Sequence, residues 1–307
     1  MAHAGAPNRA KGVKENTKEA FDQSLRIEGA LAGEGDIIVS SDEVCFMYHG
    51  SADAAEQART GLLVRDDLEK RPAAEIERLL GDETVRLEEV LTTHRERFFN
   101  LDLETERAAR FGPQLVERLG RLKWANFASF DDERLNIAAK TLGDGDAKKG
   151  YKRASFSAGP KESVALLELA FTGNLEARDT LLRSGASRLQ LPYGMAVPRR
   201  LAAQPLQKIF NIDTSGISPE DTQGEAALWD ILTAGIFNEE VDRNAILRVQ
   251  VSAGMVALAK ELGYGVDLWT LKKKSDIHRA IEIGTDWLIT DDVPYTQRAI
   301  KEHRAAA

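Results

Sequence analysis

The stretch Glu34-Gly35-Asp36-Ile37-Ile38-Val39-Ser40-Ser41-Asp42-Glu43-Val44-Cys45-Phe46-Met47-Tyr48-His49 decides how the rest of the chain is read. Glu34 and Asp36 stand two apart at the head of a β-branched, apolar run. In a strand, residues i and i+2 project from one face, so the two carboxylates share it. Burying two carboxylates together is costly unless something positive sits between them. A hard divalent cation is the simplest such partner. The chain then turns at Ser41-Asp42 and returns through a second apolar run that ends on His49. A hairpin of this kind can bring a histidine near the carboxylate pair. The competing reading leaves Glu34 and Asp36 solvated beside a turn, with His49 an ordinary strand-end residue.

Outward from this stretch, strand patterns recur at 98–104, 123–128, 151–157, 188–191, 266–271 and 287–290. Helix patterns at 18–25, 73–80, 106–120, 160–171, 250–262, 275–283 and 295–304 separate them. Such alternation predicts parallel strands joined by helices, and about eight units close a (β/α)8 barrel. A doubly wound open sheet is the alternative. Asp102 interrupts an otherwise apolar strand, which implies a buried partner. In a barrel the strand C-termini carry the chemistry. His3, Glu34, Asp36, Asp102, Gln190 and Trp269 all fall on or just past predicted strands, so they can converge at one mouth. Residues 193–246 break the rhythm with Pro198, Pro205, Gly216, Pro219 and Gly224, and are read as an insertion late in a single domain spanning 1–307.

The 307 residues suit one large α/β barrel or two ordinary domains. A net charge of -8 argues against a nucleic-acid partner, and the longest basic run, Lys272-Lys273-Lys274, is too short for a membrane-seeking patch. Cys45 is the sole cysteine, which excludes an internal disulfide. No apolar stretch is long enough to span a bilayer, and the N-terminus lacks a signal-peptide core. A cytoplasmic location is the expectation.

Several short motifs follow one another in order: His3-Ala4-Gly5, Glu15-Asn16-Thr17, Glu34-Gly35-Asp36, His49, Asn100-Leu101-Asp102, Ser129-Phe130, Trp269-Thr270 and Thr290-Asp291. In this the chain resembles the glycerophosphodiester phosphodiesterases. Their hallmarks are an opening His-Arg-Gly, a Glu-Asn-Thr, a Glu-x-Asp with a strand-end histidine at fixed spacing, a carboxylate on the next strand, a Ser-Phe, a Trp-Thr and a closing Thr-Asp. The resemblance implies a (β/α)8 TIM barrel and a divalent cation, Mg²⁺ or Ca²⁺, held by Glu34, Asp36 and Asp102. It implies that His3 and His49 form an acid–base pair, a role suited to a side chain that titrates near neutrality. Trp269 would line the mouth against the alcohol part of a small phosphodiester.

Three departures stand out. Ala4 replaces the family's arginine, Gly50 follows the strand-end histidine in place of Asp, and Glu104 replaces a lysine. The arginine and lysine hold the phosphate, which needs cationic donors. Arg9, Lys11, Lys14 and Lys272 are the candidates to replace them, and Glu104 is expected to face the substrate. The expected function is a metal-dependent phosphodiesterase. The alternative is a barrel that binds a ligand or partner with little or no catalysis, in keeping with the loss of both cations.

Overall fold

The computed structural model of the protein describes residues 1–7, 12–198 and 246–306. Its centre is β1 (Ala32–Val39), every residue of which is buried. On one side β1 turns through Ser40–Val44 into the antiparallel β2 (Cys45–Met47), closed by the Ser40 N–H donating to the Val44 carbonyl at 3.0 Å. β3 (Val85–Arg86) extends that edge. On its other side β1 pairs in parallel with β4 (Phe98–Leu103), in a register that sets Asp36 beside Asp102 and Glu34 beside Asn100. The parallel series continues through β5 (Ala125–Ala128) to β6 (Ser155–Phe156).

A second sheet holds β7 (Arg188–Pro192), β10 (Gly265–Leu271) and β11 (Trp287–Thr290), all parallel. Isolated parallel bridges connect the two edge strands of this second sheet to the first. Ser157 bridges to Arg188, and Ala2 bridges to both Gly33 and Thr290. β8 (Gly194–Pro198) and β9 (Ile246–Gln250) form a separate antiparallel ladder. The insertion expected at 193–246 lies mostly outside the described residues.

Helices cover the sheets where the sequence supplies caps and an apolar stripe. Thr17, Thr105, Asp131 and Ser252 each accept a backbone N–H at a helix start, satisfying donors the helix leaves orphaned. Two differences from the sequence reading have clear causes. Tyr151 belongs to the helix Ala147–Arg153, capped by Asp146, so the strand expected at 151–157 shrinks to Ser155–Phe156. Its ring packs edge-on against Phe156, 4.8 Å between centroids, which explains the apolar pattern across the boundary. A helix also runs from Leu175–Arg183, capped by Asn174, where the sequence reading saw no element. Among the described residues, no helix is long and apolar enough to cross a membrane.

Candidate active site

Glu34, Asp36 and Asp102 come together at the β1–β4 seam, with one oxygen from each lying within 4.8 Å of the others. Gly35 between the first two is a packing requirement. A Cβ there would fall 2.4 Å from the Met47 methyl and 2.5 Å from Asn16 Oδ1. That space lets Asn16 address Asp36 twice, donating from Nδ2 to Oδ2 at 2.9 Å and accepting the Asp36 N–H at 3.3 Å. The Ala4 N–H donates to Glu34 Oε2 at 2.7 Å, and Asn100 Nδ2 donates to Asp102 Oδ1 at 2.9 Å. Asn100 is itself fixed by Gln190 and Asn126, so each carboxylate is oriented by an amide or a backbone donor.

The trio is electrostatically tense. Burial pushes Glu34 up to about 7, with Asp36 adding to the rise and His3 opposing it. Burial, then Glu34 and Asp36, carries Asp102 well above the ordinary carboxylate range. Three oxygen donors that repel one another, two on buried residues and one half-buried, fit a hard divalent cation, because its charge lets all three ionise. Oxygen-only ligands suit Mg²⁺ or Ca²⁺ better than zinc.

Both histidines flank the carboxylates. His49 Nδ1 lies 3.8 Å from Asp36 Oδ2 and the same distance from Glu15 Oε1. His3 Nδ1 bonds Asp291 Oδ1 at 2.7 Å. Burial pulls the His3 imidazole down, but the Asp291 bond and the charges of Glu34, Asp291 and Asp36 outweigh it and raise it to about 9. Trp269 stands beside Asp102 and Gln190 in a cavity also lined by Phe130 and Leu167. Its ring meets Phe130 edge to face, 5.5 Å between centroids.

The expected phosphate cations are not gathered here. Arg9 and Lys11 lie outside the described residues. Lys14 pairs with Glu83 on an exposed surface, and Lys272 is exposed just past β10. Glu104 pairs with Arg65. The sequence gives no sign of Arg65, of the role of Asn100 within its motif, or of the bond from His3 to Asp291. The closing Thr-Asp motif was visible as a pattern, but nothing in the sequence showed which side chain Asp291 meets.

No family model and no curated protein sequence matches the chain. Solved structures do match. A glycerophosphoryl diester phosphodiesterase domain from Mycobacterium tuberculosis aligns with a TM-score of 0.63 at 15% identity, covering 97% of each chain. A glycerophosphodiester phosphodiesterase from Parabacteroides distasonis aligns at 0.58 and 16% identity, covering 99% of this chain and 97% of that one. A phosphodiesterase from Oleispira antarctica, solved with the product sn-glycerol-3-phosphate, aligns at 0.57 and 15% identity, covering 98% and 95%. At these identities the likeness is one of fold, and it agrees with the resemblance read from the sequence.

Proposed function

We propose that the protein is a metal-dependent phosphodiesterase that cleaves glycerophosphodiesters, or a related diester, to an alcohol and glycerol phosphate. The observation that carries this reading is the convergence of Glu34, Asp36 and Asp102 between two histidines. We read the two sheets and their bridges at Ala2 and Ser157 as a closed (β/α)8 barrel with these residues at its mouth. Glu34, Asp36 and Asp102 hold the metal. Bound there, Mg²⁺ or Ca²⁺ would polarise the phosphoryl oxygens and favour the ionised form of the attacking hydroxyl.

The protein's own groups handle the protons. Asp291 occupies Nδ1 of His3, which leaves Nε2 to exchange a proton with the substrate. One histidine accepts the proton of the attacking hydroxyl, from water or from the substrate itself. The other delivers a proton to the departing alcohol oxygen. Trp269 packs against that alcohol.

Titrating Mg²⁺ or Ca²⁺ into chelator-stripped protein tests the site. Ligand at 100 times its Kd adds about 2.7 kcal/mol to native stability, which a melting curve resolves. Asp36→Asn should abolish that shift. His3→Ala and His49→Ala should each stay folded and lose about 10²- to 10⁴-fold in turnover of glycerophosphocholine. Parental rates in either variant would remove that histidine from the mechanism. A metal-dependent shift with no turnover would support the ligand-binding barrel instead.

A further inference from the structure

We infer that Arg65, held in place by Glu104 and seated over Gly50, is the cation that grips the phosphate of the substrate. The inference rests on the phosphodiesterase reading for its substrate but on separate residues for its geometry.

The backbone fixes where Arg65 stands. The Ser51 N–H donates to the Leu63 carbonyl at 2.9 Å, and the Arg65 N–H donates to the Ser51 carbonyl at 3.0 Å. Ser51 and Val64 form a parallel bridge, and the Leu63 N–H donates to the Tyr48 hydroxyl at 3.1 Å. Residues 48–51 and 63–65 are thereby zipped together, with His49 and Gly50 inside the zipped segment. Arg65 opens the helix Arg65–Glu69, so its position is set before its side chain makes any contact.

Gly50 is what admits the side chain. A Cβ at residue 50 would lie 2.5 Å from Arg65 Cγ and 3.0 Å from the Leu63 carbonyl oxygen. The aliphatic stem of Arg65 thus runs across the residue that follows His49, itself 3.8 Å from Asp36. At the far end the guanidinium pairs with Glu104, two residues beyond Asp102. The Arg65 and Glu104 side chains are only 16% and 11% exposed, so this is not a loose surface pair. A carboxylate does not exhaust a guanidinium's five donors. The remainder suit a phosphate, which guanidinium recognises in a bidentate manner.

The surrounding charges agree. Besides the pair with Glu104, burial and Arg134 lower the Arg65 pKa, while Asp36 opposes the fall. Three ionised carboxylates exceed the charge of one divalent ion, and the charge of His3 is met by Asp291, so a further cation favours the approach of an anionic diester. Ala4 and Glu104 do not supply it, and Lys14 is engaged elsewhere. The competing role for Arg65 is purely structural, tying the helix Arg65–Glu69 to the end of β4.

Calorimetric binding of sn-glycerol 3-phosphate to the Mg²⁺-loaded full chain separates the two roles, read beside kcat and KM for glycerophosphocholine. Arg65→Gln keeps most of the stem and removes the charge. It should weaken glycerol phosphate binding and lower kcat/KM by about 10²- to 10³-fold, the usual loss for a preorganised donor to a transition state. Mg²⁺ affinity should stay at the parental value. Arg65→Lys should recover part of the anion affinity, because it restores charge without the planar fork. Glu104→Gln should act in the same direction as Arg65→Gln but less severely. Parental glycerol phosphate affinity in folded Arg65→Gln would overturn the proposal, as would a parent that binds no glycerol phosphate. A parent that binds it through Arg65 yet cleaves no diester would leave the anion site standing and overturn the phosphodiesterase reading alone.

Discussion

Ala4, Ala6 and Asn16 hold left-handed backbone conformations, with φ of 44°, 57° and 55°. Non-glycine residues enter this region at a cost, and such strain gathers where function over-determines the backbone. Here the strained turns aim the Ala4 N–H at Glu34 and the Asn16 amide at Asp36. Cys45 is the opposite case, a reactive residue type made inert by its surroundings. It is buried on β2, and burial pushes its thiol up to about 12. The folded protein should react slowly with a disulfide reagent at pH 8 and rapidly once unfolded in urea. The linkage sign follows from an acid whose folded pKa lies above its unfolded one. The contribution of Cys45 to stability is complete below the unfolded value and declines as pH climbs from about 9 towards 12. A Cys45→Ser variant whose stability follows the parental pH course above pH 9 would show that the thiol is not the titrating group. At this scale the carboxylates were legible because spacing alone puts Glu34 and Asp36 on one face and Asp102 in an apolar run. Arg65 was not, because its meaning comes from Gly50 and Glu104, neighbours in space that lie 15 and 39 positions away.

The seam between β7 and β10 depends on a buried ion pair. Arg188 Nε donates to Asp267 Oδ2 at 2.7 Å, and Asp267 is fully buried. Removing one partner of such a pair leaves an uncompensated charge and typically costs about 3–5 kcal/mol. Arg188→Ala should therefore unfold at markedly lower denaturant, whereas Arg188→Ala with Asp267→Ala should recover part of the loss. A double variant no more stable than the single would mean that the packing of the arginine stem, not the charge, holds the seam. Most elements could be read from periodicity and caps, since Thr105, Asp131 and Ser252 announce their helices directly. The exceptions are instructive. The Tyr151–Phe156 contact spreads an apolar pattern over a helix end and a two-residue strand, which local alternation cannot divide. The helix Leu175–Arg183 leaves Leu175 and Leu182 exposed, so its apolar stripe is faint.

At the scale of the molecule, the alternating order of strands and helices was the most legible property. Pairing across the edges was not, because single bridges leave almost no trace in sequence. One of those bridges has a consequence for how the protein comes into being. Ala2 pairs with both Gly33 and Thr290, and His3 finds its partner Asp291 at a separation of 288 residues. Contacts that distant form late, because the loop they close must first be drawn together. A fragment ending at residue 284 should retain amide-exchange protection in β1 and β4 but show it weakened at residues 2–5, which keep only their bonds to β1. Equal protection in the fragment and the full chain would show that β1 alone anchors the opening segment. A nascent chain therefore carries His3 out of the ribosome long before Asp291, the partner of its ring, has been made. The carboxylates of β1 and β4, with His49 beside Asp36, can assemble midway through synthesis, while the partner that fixes His3 follows only after the strand Trp287–Thr290.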